Sequence, residues 1–154
     1  MKQQTTLRGE SAWPACALAA TRRAARLLTQ LYDSHLAEHG IEAAQFALLM
    51  TIEASPDKGQ MAIAVALGMD KTTLSRNLKV LRSRGWVSSQ QGSDARSKNL
   101  ALTQEGRALL SRARPAWKRA QSALRRQMGE DRWDATLSAV RGLSASALAA
   151  SDVG

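Results

Sequence analysis

A single cysteine, Cys16, in 154 residues rules out an intrachain disulfide, and nothing in the composition points to an oxidising compartment. Histidine is almost as scarce. His35 and His39 stand four residues apart, a spacing that can chelate a metal on a helix, but a site needs a third or fourth ligand, for which Glu38 or Glu42 would have to serve. The plain alternative is two exposed histidines near a helix end, and no metal site is expected. There is no glycine-rich phosphate loop and no paired metal motif, and a base such as His35 has no identifiable nucleophile, so neither an enzyme nor a bound cofactor is expected. No run approaches the ~20 apolar residues of a membrane span. Met1–Ser11 is polar and lacks the apolar stretch of a secretory leader. A soluble, cytoplasmic protein with no membrane partner is the expectation. Aromatics are few: Trp13, Tyr32, Phe46, Trp86, Trp117 and Trp133.

What the chain has is alanine, leucine and positive charge. Ala and Leu bias it toward helix. The formal net charge of +9 suits a polyanionic partner: nucleic acid, an anionic membrane or an acidic protein. That charge is unevenly placed. Residues 1–58 balance. Residues 71–98 carry Lys71, Arg76, Lys79, Arg82, Arg84, Arg96 and Lys98 against Asp94 alone, and residues 103–127 carry Arg107, Arg112, Arg114, Lys118, Arg119, Arg125 and Arg126 against Glu105 alone. The second cluster reads as a solvated helix face. In the first, the basic residues sit among Ser, Thr and Asn at helical spacing, side chains that bond base edges as well as phosphates.

Periodicity sets out the elements. Leu18, Ala25, Leu28, Tyr32 and Leu36 make an apolar stripe over a helix from 14 to 38, with Pro14 in its first turn and Gly40 ending it. A second helix over 43–54 turns Phe46, Leu49, Met50 and Ile52 inward. Turn residues 55–59 follow, then a short helix over 61–67 stopped by Gly68. Asp70 is placed to cap a helix over 71–84, with Leu74, Leu78 and Leu81 on one face and Gly85 at its end. The period then becomes strand-like: 86–91 and 99–102 form a hairpin around the polar, basic loop 92–98. Thr103 caps a long helix to about Met128, which Pro115 should bend or interrupt. A last helix over 130–149 is expected to bury Trp133, Leu137, Val140 and Leu143 or Ser144.

The predicted fold is therefore mainly α: a winged helix-turn-helix with a small β-hairpin wing, plus a helical dimerisation bundle from both termini. The dimerisation helices span 12–40 plus 103–150, and the DNA-binding domain spans 43–102. Helices 61–67 and 71–84 around Gly68-Met69-Asp70 have helix-turn-helix proportions. In that motif the second helix enters the major groove N-terminus first. Lys71, Thr72, Thr73, Ser75, Arg76, Asn77 and Lys79 are then the base- and phosphate-facing set, with double-stranded DNA as the partner. Arg96 at the wing tip suits a narrow minor groove, Lys98 lies beside it, and Asp94 is placed to hold a nearby Arg. The terminal helices have apolar stripes without a DNA-reading pattern. Packed on a symmetry mate they would set two recognition helices one DNA turn apart, ~34 Å, over a near-palindromic site.

From about residue 14 to 145 these residues resemble the MarR family of bacterial winged-helix regulators. The most specific stretch is LGMDKTTLSRNLKVLRSRGWVSSQQGSDARSKNLALTQEG, residues 67–106: a Leu-Gly turn, a Thr/Ser-rich recognition helix, Arg-Gly before the wing, Asp-x-Arg at Asp94 and Arg96, then Leu-Thr-x-x-Gly. The resemblance implies a homodimer that usually represses promoters and is released by small aromatic ligands, oxidants or metals. It also implies an effector cleft between the terminal helices and the winged domain, with Tyr32 and Trp117 as candidate wall residues. Some relatives sense peroxides through a lone cysteine near Cys16, supported by tyrosines. Tyr32 matches one tyrosine only with Cys16 about two residues out of register, and the second tyrosine's position is Ala43. Cys16 thus has two readings, an oxidant sensor or a small buried core residue. Two other functions compete with a sequence-specific regulator: a non-specific architectural nucleic-acid-binding protein, and a helical scaffold whose basic face binds an acidic partner.

Overall fold

A computed structural model describes residues 16–56, 58–91 and 98–151. The chain runs α1 (Ala17–Leu36), a 3₁₀ turn (Ala37–His39), α2 (Ala43–Ala54), α3 (Gln60–Leu67), α4 (Lys71–Ser83), β1 (Val87–Gln91), β2 (Lys98–Leu102), α5 (Gln104–Met128) and α6 (Glu130–Ser151). β1 and β2 pair antiparallel, Val87 opposite Leu102 and Gln91 opposite Lys98. Gly59 adds one bridge to Asn99 on the far side of β2, so the turn before α3 anchors the hairpin. The element order matches the expectation, with boundaries shifted by one to three residues. Pro14 lies outside the described residues.

Local chemistry accounts for these elements. Gln45 and Glu42 form a reciprocal capping box that starts α2. Gly68 takes φ 61°, the left-handed conformation that lets its own N–H reach Val65 O and the Met69 N–H reach Ala64 O, closing α3. Asp70 then opens α4 by accepting from the Thr73 N–H at 2.8 Å. Leu74, Leu78 and Leu81 are buried against Phe46, Leu49, Ile52 and Ile63 in one core, to which α5 contributes Leu109, Leu110, Ala113 and Ala116. Each fully buried leucine of that set contributes about 1.5–3 kcal/mol.

The junction of wing and α5 is tight. Thr103 accepts from the Gly106 N–H at 3.0 Å, donates its hydroxyl to Gly85 O at 2.6 Å, and its own N–H reaches Trp86 O. A Cβ on Gly106 would stand 2.0 Å from Trp86 O, so only glycine lets α5 start there. The Leu-Thr-x-x-Gly pattern is thus one packing joint.

Three expectations need correction. α5 continues as an unbroken helix past Pro115. Pro115 lies on the exposed side, while Ala113, Ala116 and Ala120 on the other side are fully buried and hold the helix in place. A surface proline forfeits one hydrogen bond, and the carbonyl it leaves unpartnered, four residues back at Ser111, belongs to an exposed residue that water can reach. α6 buries none of its residues: Trp133 is half-buried, and Leu137, Val140 and Leu143 are exposed. Among the described residues, only α1 and α5 lie beside its apolar face, and nothing covers the rest. The α1 stripe is graded for the same reason, from Leu18 at 65% exposure to Leu36 at 0%.

Candidate nucleic-acid interface

α4 presents two opposed sides. Its leucines face the core, while Lys71, Thr72, Thr73, Ser75, Arg76 and Lys79 are exposed. Thr73 is partly committed, since its hydroxyl donates to the second Asp70 oxygen at 2.8 Å. Asn77 is half-buried and donates back to Thr73 O at 3.0 Å, so it is turned along its own helix instead of outward. Among the described residues, nothing holds the side chains of Lys71, Thr72, Ser75, Arg76 or Lys79. The Asp70 carboxyl sits below its ordinary pKa because the Thr73 N–H, and after it the Thr73 hydroxyl, donate to the charged form.

The wing root is tied to this helix. Arg82 donates to Ser89 Oγ of β1 at 2.9 Å, and the Arg84 guanidinium lies 5.4 Å from the Trp86 ring centroid. These ties were not read from the sequence. Asp94 and Arg96 lie outside the described residues, and for Lys98 the description covers only its backbone position at the start of β2.

The second basic cluster is arranged differently. Arg114 bonds Glu53 at 2.6 Å, Arg119 bonds Glu38 at 2.6 Å, Arg125 bonds Glu130, and Arg107 donates to Leu102 O. Three of the seven α5 cations, Arg114, Arg119 and Arg125, are thus matched by carboxylates within the chain.

A cavity of about 380 Å³ lies between α1, α2 and α5, bordered by α3 through Leu67. Tyr32 and Trp117 both line it. Trp117 also stacks on Phe46, with centroids 6.2 Å apart and planes at 28°. The Tyr32 hydroxyl donates to Gln121 Oε1 at 2.5 Å, and burial pushes its pKa up, so the phenol stays neutral. Gln121 escaped the sequence reading, although it falls four residues after Trp117 on the same helix. Tyr32 and Leu28 also border a second groove of about 480 Å³ between α1, α5 and α6. Cys16 is in neither. It is exposed at the N-terminus of α1, which overturns its reading as a buried core residue, because the first turns of α1 reach beyond the core. His35 spends Nδ1 on Leu31 O at 2.9 Å, and among the described residues no three potential ligands gather to hold a metal. Among the described residues, no helix is long and apolar enough to cross a membrane.

A short helix, a left-handed glycine turn, an exposed cationic helix and a tethered hairpin define a winged helix-turn-helix DNA-binding regulator. Similarity to known proteins narrows the class: a MarR family model matches residues 39–97, and solved structures match over most of the chain. The M. tuberculosis transcriptional regulator MosR in complex with DNA superposes with a TM-score of 0.79 at 38% identity, covering 87% of this chain and 97% of that one. The repressor CouR bound to a 23-mer DNA duplex gives 0.76 at 30% identity, over 84% and 92%. An HTH-type transcriptional regulator of Bacillus subtilis (strain 168), YwoH, is 30% identical over 83 residues, so the match spans 54% of this chain and 61% of that relative. The chain belongs to the MarR family: it is a DNA-binding transcriptional regulator and not an enzyme.

Proposed function

We propose that the protein is a homodimeric, ligand-released repressor of a near-palindromic operator. The reading rests on α4: three leucines lock one side into the core, and Lys71, Thr72, Ser75, Arg76 and Lys79 stand free on the other. In this reading Arg76 and the α4 N-terminus face base edges in the major groove, and Thr73 and Asn77 stiffen the helix start. Asp94, Arg96 and Lys98 work the adjacent minor groove from the wing.

The division into dimerisation helices (12–40 with 103–150) and a DNA-binding domain (43–102) belongs to the same proposal. Leu18, Leu27 and Leu28 of α1 and Leu137, Val140, Leu143 and Leu148 of α6 are exposed in the single chain, which supports a second copy packing there. The cavity walled by Tyr32 and Trp117 supports release by a small molecule, and CouR has also been solved bound to p-coumaroyl-CoA.

Sequencing genomic fragments captured by the purified protein tests the proposal. Enrichment of an inverted repeat with half-sites about one helical turn apart is expected, together with a dimer in sedimentation. Uniform capture of random DNA, or a monomer, would refute it. Release by a small molecule is read from the same fragments once the repeat is known.

A further inference from the structure

The wall of the Tyr32–Trp117 cavity has a one-sided chemistry. Its hydroxyls belong to Thr29, Thr51 and Tyr32, and each proton is already spent: Thr29 donates to Ala25 O at 2.8 Å, Thr51 to Ala47 O at 2.9 Å, and Tyr32 to Gln121 at 2.5 Å. A hydroxyl whose proton is engaged still offers lone pairs. The remaining wall is apolar apart from the single indole N–H of Trp117. Among the described residues, no lysine, arginine or histidine lines it.

The usual anion site of such a cavity is also closed. The N-terminus of α2 reaches the wall at Ala43, where a helix start would welcome negative charge. Here the Ala43 N–H donates to Asp33 Oδ1 at 2.7 Å, and Glu42 closes the capping box beside it. Two carboxylates therefore answer that helix end already. The nearby cations line a different groove, formed by His35, Lys118, Arg119 and Arg126, and Arg119 is paired with Glu38.

We infer that this cavity takes an uncharged, largely apolar, flat ligand that brings its own hydrogen-bond donor, such as a neutral phenol or aryl amide, and rejects aryl carboxylates. Among the described residues a carboxylate buried here would find one neutral donor and no countercharge, and leaving a charge unsatisfied is costly. A phenol or amide N–H instead meets the free lone pairs of Thr29, Thr51 or Tyr32. A volume of about 380 Å³ holds a bicyclic aromatic comfortably. The inference rests on the proposal that this cavity is the effector site, and it fixes the charge class of the effector.

The test titrates the full-length protein with naphthol, naphthamide and naphthoate, all substituted at the same ring position. Tryptophan fluorescence and melting temperature report binding, and a duplex selected by the protein from random sequence reports DNA release. Naphthamide and naphthoate match in shape and differ in charge. At neutral pH the amide and the phenol are expected to bind on the order of tenfold tighter than naphthoate, or more. Thr29→Arg, on the exposed side of α1, places a cation in the wall and should narrow or reverse that gap. Three results would overturn the inference: naphthoate binding wild type as tightly as the amide, none of the three binding, or Thr29→Arg leaving the gap unchanged. Binding of the neutral probes without loss of DNA would defeat the effector reading alone. Release of DNA by tightly bound naphthoate would defeat only the charge class.

Discussion

Two stretches of this chain carry the same charge and do different things with it. Residues 71–98 and 103–127 each hold seven basic side chains against one acid. On α5, Arg114, Arg119 and Arg125 are matched by Glu53, Glu38 and Glu130 from three other parts of the chain. On α4, Lys71, Arg76 and Lys79 meet no carboxylate among the described residues. Charge count shows how much countercharge a segment asks for, and the fold decides whether the protein or another molecule provides it.

The joint between the two stretches offers the sharpest way to separate them. Gly106→Ala drives a Cβ into the Trp86 carbonyl and should cost about 3 kcal/mol or more of stability, because backbone stands in the way. Chemical denaturation measures it, and a loss under ~0.5 kcal/mol would mean that the wing root yields easily. Next in size, Arg76→Ala should relax preference at one base position by about 1–3 kcal/mol, seen in binding to a panel of operator variants. The comparison breaks if Arg119→Ala, on the paired helix, weakens operator binding as much. That variant should instead leave DNA affinity nearly unchanged and remove at most ~1 kcal/mol of stability, as an exposed pair does.

A smaller effect separates α4 by pH. Asp70 has a lowered pKa because Thr73 donates to its charged form. A group depressed in the folded state contributes stability in full above its unfolded pKa and loses it as pH falls through the folded value. The difference in melting temperature between wild type and Asp70→Ala should therefore be constant around neutrality and shrink below about pH 4. A gap that persists in strong acid would show that the carboxylate charge is not what caps α4. The smallest effect is expected at Cys16: under reducing conditions Cys16→Ser should leave operator affinity unchanged, since the residue is exposed and far along α1 from α4.

Much of this is legible in the sequence. The Gly68 stop, the Asp70 and Thr103 caps and the Leu74/Leu78/Leu81 stripe are decided within a few residues, and they fell where periodicity and capping rules put them. The misses were long-range. Pro115 does not interrupt α5 because packing on the opposite face outweighs a local breaker. Tyr32 and Trp117 were placed at the cavity wall, but Gln121, Thr29 and Thr51, which define its chemistry, came only with the fold. Asn77 looked free in sequence and is turned back on its own helix.

By itself the sequence determined the order of helices and hairpin and the exposed cationic edge of α4, because caps, turns and amphipathic period are short-range properties of the chain. Only the tertiary structure decided which arginines meet a carboxylate, where Cys16 lies, and that the cavity offers lone pairs and, among the described residues, no cation. Those depend on side chains dozens of residues apart, such as Arg119 and Glu38 or Tyr32 and Gln121, meeting once the core has formed.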